Sequence, residues 1–547
     1  MVVAEAPADA EADAEASAST SASTPADAIV DVDVALDNMN GREFADLVNR
    51  HLALQGSSEI NVGMVLANPE KSKHLETATM KVGRFWVDFV NLRAESYASD
   101  SRIPSGVRIG TPEEDAFRRD LTINSLFYNL ASNEIEDLTG RGLSDLRAGV
   151  IDTPLPPETT FLDDPLRVLR AVRFAARLQF VLSPRLRAAA SSEEVREALA
   201  EKVSRERVGG EVDLMMRSLD PVGAMRLIAS TLDLGPVVFP LPASLPPETR
   251  QAAYDRGLDV LAAAHDYLTS RCPPRAPLHS PLGFCEPPPS RHPPGDVRRL
   301  LWYAAFLSPF RELDAALPPP PAPGRGKARR ERPLAEEALF GSLKRPARDA
   351  ADVLRVQEAA AGFSRLLEGG GDLSATAVLL ADVEVERDGG TGFGGGGRVN
   401  GKEVDGETRS DPIWRHAMEL RAAIAAILIR AGPLWRAGFV LSLSERLADL
   451  PSLVPTGDLE LLQEAEEREI GRYDALAAAL VKLELERVWE EPPLVDGGQI
   501  MRLLGAVPKG PGFKQVVDAG RQWQLMHPEG TRAELEAWLK AEFPAFL

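Results

Sequence analysis

From Ile29 to Leu36 apolar and polar positions alternate, with β-branched residues in most of the apolar places. That period of two predicts a strand whose Asp31 and Asp33 side chains leave by one face. Gly41–Leu54 predicts the helix that follows, and Phe85-Trp-Val-Asp88-Phe-Val-Asn-Leu-Arg93 predicts another strand, carrying Asp88. From Pro165 the period lengthens. Leu169, Val172 and Ala176 fall on one helical face, and Arg167, Arg170, Arg173 and Arg177 gather on the other. Beyond about Leu245 the pattern is amphipathic helix, ending in a packing helix over Arg532–Ala541. Pro-rich stretches (Cys272–Pro294, Leu317–Pro333) and a Gly-rich one (Gly389–Gly401) interrupt it and read as loop insertions or linkers.

Composition narrows the class. The chain has 547 residues, 44% hydrophobic and 26% charged, enough for several domains with real cores. No apolar run approaches a membrane span, and the N-terminus lacks the apolar stretch of a signal peptide, so an intracellular protein is expected. Residues 1–28 are mostly Ala, Asp, Glu, Ser and Thr and read as a disordered acidic tail. Cys272 and Cys285 have no Cys/His ligand spacing around them, which argues for free thiols. A net charge of −20 disfavours a protein that coats nucleic acid nonspecifically, but the Leu166–Arg187 region is locally basic. An acidic RNA enzyme is admissible.

Three stretches carry candidate chemistry. Two carboxylates on one strand face repel unless a cation lies between them, and Mg²⁺ takes such oxygen ligands; an edge strand with solvent-facing Asp gives the same pattern. Arg118 and Arg119, followed by Asp120 and Asn124, suit phosphate or ribose oxygens; a capped amphipathic helix is the alternative. Asp163 and Asp164 stand just before Pro165, and Asp164 lies three residues before Arg167, one helical turn away. An aspartate accepts and an arginine donates, so the pair fits a base edge offering an amino group beside a ring acceptor. Cytosine and adenine offer that edge; uracil and guanine do not. A helix cap with an ordinary salt bridge fits the same residues.

Asp163-Asp164-Pro-Leu-Arg167-Val-Leu-Arg170-Ala-Val-Arg173-Phe resembles the nucleotide-recognition helix of class II CCA-adding enzymes, tRNA nucleotidyltransferases related to bacterial poly(A) polymerases. Asp31-Val-Asp33-Val-Ala-Leu-Asp-Asn-Met and Arg118-Arg119-Asp120-Leu-Thr-Ile-Asn124 are similar to that family's metal-binding strand and nucleotide-binding segment. Lys71–Thr79, with His74, resembles the loop and strand before Asp88, His74 reading as structural. Lys202–Glu211 resembles the neck segment that buttresses the recognition helix.

The resemblance implies an α+β head with a nucleotidyltransferase-type mixed sheet, then a mainly helical neck, body and tail. The bounds expected are 29–155 for the head, 156–240 for the neck, 241–440 for the body and 441–547 for the tail. It implies Mg²⁺-dependent addition of CCA to tRNA 3′ ends from CTP and ATP without a template. Asp31 and Asp33, with Asp88 a candidate third, would hold the metal. Arg118, Arg119, Asp120, Asp163, Asp164, Arg167, Arg170 and Arg173 would bind nucleotide. Lys509, Gly510 and Gly512, after Pro493–Leu504, resemble the segment that grips tRNA. No membrane or obligate protein partner is implied. The family's Gly-Gly-x-Val-Arg-Asp-like strand and turn has no counterpart before Gly41, so the head is expected to lack its first strand and part of its triphosphate clamp. A catalytically impaired tRNA-binding homologue and a poly(A)-polymerase-like enzyme stay open as alternatives.

Overall fold

The computed structural model describes residues 2–5, 31–65, 77–83, 85–97, 104–271, 294–317, 332–368, 398–399, 402–403, 412–454, 458–505 and 510–546. The acidic stretch 6–30, His74, both cysteines, Lys509 and most of the Pro- and Gly-rich insertions lie outside them. The chain divides into two compact units, Met1–Leu258 with Leu313–Ala347, and Asp259–Glu312 with Arg348–Leu547.

The first unit opens with a mixed seven-stranded sheet, ordered β3-β4-β5-β2-β1-β8-β9. Its strands are β1 (Val2–Glu5), β2 (Asp31–Leu36), β3 (Val62–Val65), β4 (Thr77–Val82), β5 (Phe85–Asn91), β8 (Phe127–Asn129) and β9 (Glu134–Glu136). β2 and β5 run parallel at the centre, and the other neighbours are antiparallel. A separate hairpin joins β6 (Arg93–Tyr97) to β7 (Pro104–Ile109).

β1 corrects the sequence reading, in which these residues belonged to the tail and the head lacked a strand beside Asp31–Leu36. Val2–Glu5 pairs with β2, Val3 opposite Asp33, and Val2 also pairs with Tyr128 of β8. Four residues give too little alternation to stand out, and the strand forms because two neighbours supply hydrogen-bonding edges.

Alternation along β2 is realised as expected. Val34 and Leu36 are buried with Ala78, Met80, Val87 and Phe89, under Ala45 of helix α1 (Gly41–Leu54). Asn40 and Glu43 cap α1 reciprocally. Only glycine fits at Gly41, because a Cβ there would stand 2.5 Å from the Phe89 carbonyl oxygen. The helix therefore starts hard against β5.

After the sheet come α2 (Pro112–Phe117), α3 (Gly142–Ala148), β10 (Val150–Ile151), α4 (Pro157–Asp163), α5 (Leu166–Leu178), β11 (Val181–Leu182), α6 (Pro184–Ala190), α7 (Glu193–Lys202) and α8 (Arg205–Met216). β10 and β11 pair in parallel. α5 is buried almost all round, its interior formed by Val168, Leu169, Ala171, Val172 and Ala175, with α8 packed along it.

The second unit is built from helices, with a two-stranded ribbon at Arg398–Val399 and Lys402–Glu403. Phe439 lies at its centre, edge-on to Phe363, Trp435 and Tyr473. A buried hydroxyl chain runs from Ser364 through Ser442 to Tyr473. Contrary to the sequence reading, Met418–Leu453 is long and apolar enough to cross a membrane by length and composition. The turn Gly432–Leu434 interrupts it, and 61% of its most apolar window is buried inside the protein, so it forms core. Arg421, Arg430 and Arg436 break the apolar run when it is read linearly, and folding gathers the apolar positions onto buried faces.

Candidate active site

Two groups of side chains define the site, both in the first unit. The first lies on the sheet face opposite α1. Asp33 and Asp88 are direct partners in the parallel β2–β5 register, and Thr79 of β4 is opposite Asp88. Asp33 is exposed, whereas Asp88 is half-buried and accepts a 2.6 Å hydrogen bond from the Thr79 hydroxyl. Asp31 pairs with Trp86 in the same register, and its side chain lies outside the described residues. Among the described residues no cluster of three His, Cys, Asp or Glu side chains is disposed to hold a metal ion. The pair Asp33 and Asp88 supplies hard carboxylate oxygens on an open face, a donor set that fits a divalent cation of the Mg²⁺ type.

The second group joins the stretch after the sheet to α5. Sequence leaves a helix through Thr111–Asn129 open, but the structure allows only α2, started by a reciprocal Thr111–Glu114 cap, before a turn and one 3₁₀ turn at Thr122–Asn124. The bend turns Arg118 and Arg119 back onto Asp115. Asp115, 2% exposed, accepts from Arg118 Nε and Nη2 at 2.9 and 2.6 Å through Oδ1, and from Arg119 Nε at 3.0 Å through Oδ2. The Arg93 amide donates to the same Oδ1 at 3.0 Å. Arg119 is fixed further by the Asn124 carbonyl at 3.0 Å and the Phe127 ring face at 4.8 Å. Burial would raise the Asp115 carboxyl, but the charges of Arg118 and Arg119 and these hydrogen bonds outweigh it and hold the group below the ordinary aspartate range.

The arginines of α5 do not form the open cationic face that helical spacing suggests. Arg167 is 9% exposed and donates from Nη2 to the Arg118 carbonyl at 2.8 Å. Arg170 Nε meets Asp120 Oδ2 at 2.6 Å, and Arg173 Nε meets Glu211 Oε2 at 2.7 Å, with Arg173 also over the Phe174 ring. Asp120 Oδ1 takes the Leu121 amide at 2.9 Å and the Asn124 amide group at 3.2 Å. Burial pushes the Asp120 carboxyl up, and the Arg170 charge and hydrogen bond, with Asn124 and the Arg167 charge, bring it below its ordinary value.

Asp163 ends α4, Asp164 caps it, and Pro165 opens α5. Asp164 and Arg167 are neighbours through the backbone, the Arg167 amide donating to the Asp164 carbonyl at 3.0 Å, but their side chains do not pair. Instead Asp164 accepts from Arg207 of α8 at 3.0 and 3.4 Å, and from the Leu166 amide at 3.3 Å. Asp164 thus closes α4, Pro165 begins α5 without a side-chain cap, and the salt bridge that forms runs to Arg207.

In the second unit, Gly510 caps the helix Pro511–Met526 at φ +112°, a conformation favouring glycine, and Gly512 lies in its first turn. Pro493–Leu504 supplies the capped helix Gly497–Leu504, packed through Ile500 and Leu504 onto Leu535 and Leu539 of the last helix.

Sequence reasoning passed over Asp115 and Thr79, and placed Arg207 and Glu211 within a buttressing segment without their partners. Asp115 was absorbed into a run of acids at a helix start. Glu211 and Arg207 are distant from their partners in sequence. Thr79 is recognisable only through the β4–β5 register.

Residues 24–152 match the family model described as the poly A polymerase head domain. The mitochondrial CCA tRNA nucleotidyltransferase of Saccharomyces cerevisiae is 32% identical over 527 residues, spanning 94% of this chain and 85% of that protein. The chain belongs to the CCA tRNA nucleotidyltransferase family, a nucleotidyltransferase class whose members generally use divalent metal ions. The tRNA nucleotidyltransferase cca1 of Schizosaccharomyces pombe is 28% identical over 513 residues, 92% of this chain and 86% of that one. The mitochondrial CCA tRNA nucleotidyltransferase of Candida glabrata is 47% identical over 205 residues, 37% of this chain and 38% of that one.

Proposed function

We propose that the protein adds CCA to the 3′ ends of tRNA from CTP and ATP, without a nucleic-acid template, inside the cell. The observation that carries this is the direct bonding of the Asp-Asp-Pro-Leu-Arg turn to the Arg-Arg-Asp segment, through Arg167 to the Arg118 carbonyl and Arg170 to Asp120. This bonding supports reading the two stretches as one unit, with a base-reading pair beside two partly exposed arginines.

In this reading Arg118 and Arg119 bind the triphosphate or ribose oxygens of the incoming nucleotide. Asp164 accepts from the base amino group and Arg167 donates to the neighbouring ring acceptor, so CTP and ATP are taken and UTP and GTP refused. Asp163, Asp120, Arg170 and Arg173 keep that edge in place. Asp31 and Asp33, with Asp88, would hold Mg²⁺. When bound, the ion neutralises triphosphate charge and lowers the pKa of the attacking 3′-hydroxyl. Residues 156–240, 241–440 and 441–547 serve as neck, body and tail holding the tRNA, with Lys509, Gly510 and Gly512 at a backbone contact.

The test is incorporation of labelled CMP and AMP into tRNA lacking its terminus. Asp33→Ala should abolish incorporation and leave tRNA binding intact, while Asp164→Ala with Arg167→Ala should admit UTP and GTP. Unchanged activity in Asp33→Ala would remove the metal assignment. Binding of tRNA with no uptake of CTP or ATP would favour a catalytically impaired homologue, and long A tails a poly(A)-polymerase-like enzyme.

A further inference from the structure

Asp115 stands at a junction that nucleotide chemistry does not itself require. It is nearly inaccessible, so it cannot touch a substrate, yet donors from three residues converge on its two oxygens. One is the Arg93 amide, two residues beyond the end of the strand that carries Asp88. The others are the guanidinium groups of Arg118 and Arg119, whose side chains remain 23% and 22% exposed. An arginine side chain has four rotatable bonds and samples many positions when nothing anchors it. Here Nε of both arginines is directed at one carboxylate, which fixes the plane of each fork. The Arg93 amide ties that carboxylate to the chain leaving the sheet, so the anchor is registered against the carboxylate strand as well.

We propose that Asp115 is a positioning residue for nucleotide binding, setting the orientation of Arg118 and Arg119 relative to the Asp88 strand. This rests on the assignment of those arginines to the nucleotide. Orientation fixed before binding lowers the cost of engaging a triphosphate, so its loss appears in nucleotide affinity ahead of turnover. Asparagine at this position keeps the shape and an acceptor oxygen but loses the charge and turns one acceptor into a donor, facing an arginine that can only donate. Glutamate restores both acceptors on a longer stem.

The experiment uses the full-length chain. Equilibrium binding of CTP with Mg²⁺, and KM and kcat for CTP and ATP on tRNA lacking its terminus, are measured for wild type, Asp115→Asn and Asp115→Glu, with melting curves for each. Asp115→Asn should raise Kd and KM for both nucleotides by at least about tenfold, leave KM for tRNA unchanged, and be partly rescued by Asp115→Glu. A folded Asp115→Asn with wild-type nucleotide KM overturns the proposal, as does an equal loss in tRNA KM. Should Asp115→Asn not fold, Arg118→Lys carries the test, since it keeps the charge and discards the fork. Raised nucleotide KM supports the proposal and an unchanged value overturns it. Wild-type protein that binds CTP without elongating tRNA would end the CCA-adding reading and leave this inference to be decided by binding alone. Wild-type protein that binds no nucleotide overturns both.

Discussion

Gly209→Ala tests how closely α8 must approach for the site to form. Gly209 lies in the middle of α8, between Arg207, which holds Asp164, and Glu211, which holds Arg173. A methyl group at Gly209 would stand 1.8 Å from the Leu343 carbonyl oxygen and 2.7 Å from its carbon. Real contacts of this kind stay above 3.0 Å, so the helix or the Leu343 turn must retreat by about 1.2 Å. Backbone cannot swing aside as a flexible side-chain tip can. Overpacking of this kind costs about 1–3 kcal/mol, against which the helix propensity gained from alanine returns about 1 kcal/mol.

The adjacent Gly210→Ala is the control, because nothing lies within 4 Å of its added methyl group. It should stabilise by about 0.5–1 kcal/mol through propensity alone. Urea unfolding separates the two, with lower stability for Gly209→Ala and higher for Gly210→Ala. A retreat of α8 also exceeds the few tenths of an ångström by which the 3.0 Å Arg207–Asp164 and 2.7 Å Arg173–Glu211 bonds can stretch. Discrimination of CTP and ATP against UTP should therefore weaken in Gly209→Ala and stay intact in Gly210→Ala. If Gly209→Ala is as stable as Gly210→Ala, the close approach of α8 to Leu343 is not a constraint and the reasoning fails.

Acid should loosen the first unit through Asp115 and Asp120. Both carboxyls lie below the ordinary aspartate value of 3.8, so their contribution is fully present at neutral pH and is lost as pH falls below 3.8 through the depressed values. Asp120→Asn, which removes the buried charge that Arg170 meets, should cost about 3 kcal/mol at pH 7 and make the fall below pH 3.8 shallower. Identical pH slopes in wild type and variant, by urea unfolding, would refute this. In the second unit, Phe439→Ala removes a fully buried ring that meets three aromatic neighbours. It should lower stability by about 3–5 kcal/mol, read as the denaturant midpoint of that unit, and a loss under about 1 kcal/mol would show that the cluster repacks.

The Ile29–Leu36 alternation, the apolar stripe of α5 and the Asp-Asp-Pro-Leu-Arg spacing are local patterns. They follow from backbone period and residue chemistry, so strand, helix and family could be read from the chain directly. The α5 arginines mark where that stops. Spacing places Arg167, Arg170 and Arg173 on one face, but cannot say whether the face meets water or protein. Their partners, the Arg118 carbonyl, Asp120 and Glu211, are 49, 50 and 38 residues away. A hydrogen bond depends on distances of a few tenths of an ångström, and no local period encodes those across such separations. The same holds for β1, too short to register until β2 and β8 offer it edges, and for Asp115, one more acid at a helix start until the turn at Arg118 folds two guanidiniums back onto it. The sequence determined which chemical groups are present and their local conformation. Tertiary packing alone decided which charges meet, because it brings distant backbone into contact and excludes the water that would otherwise satisfy them.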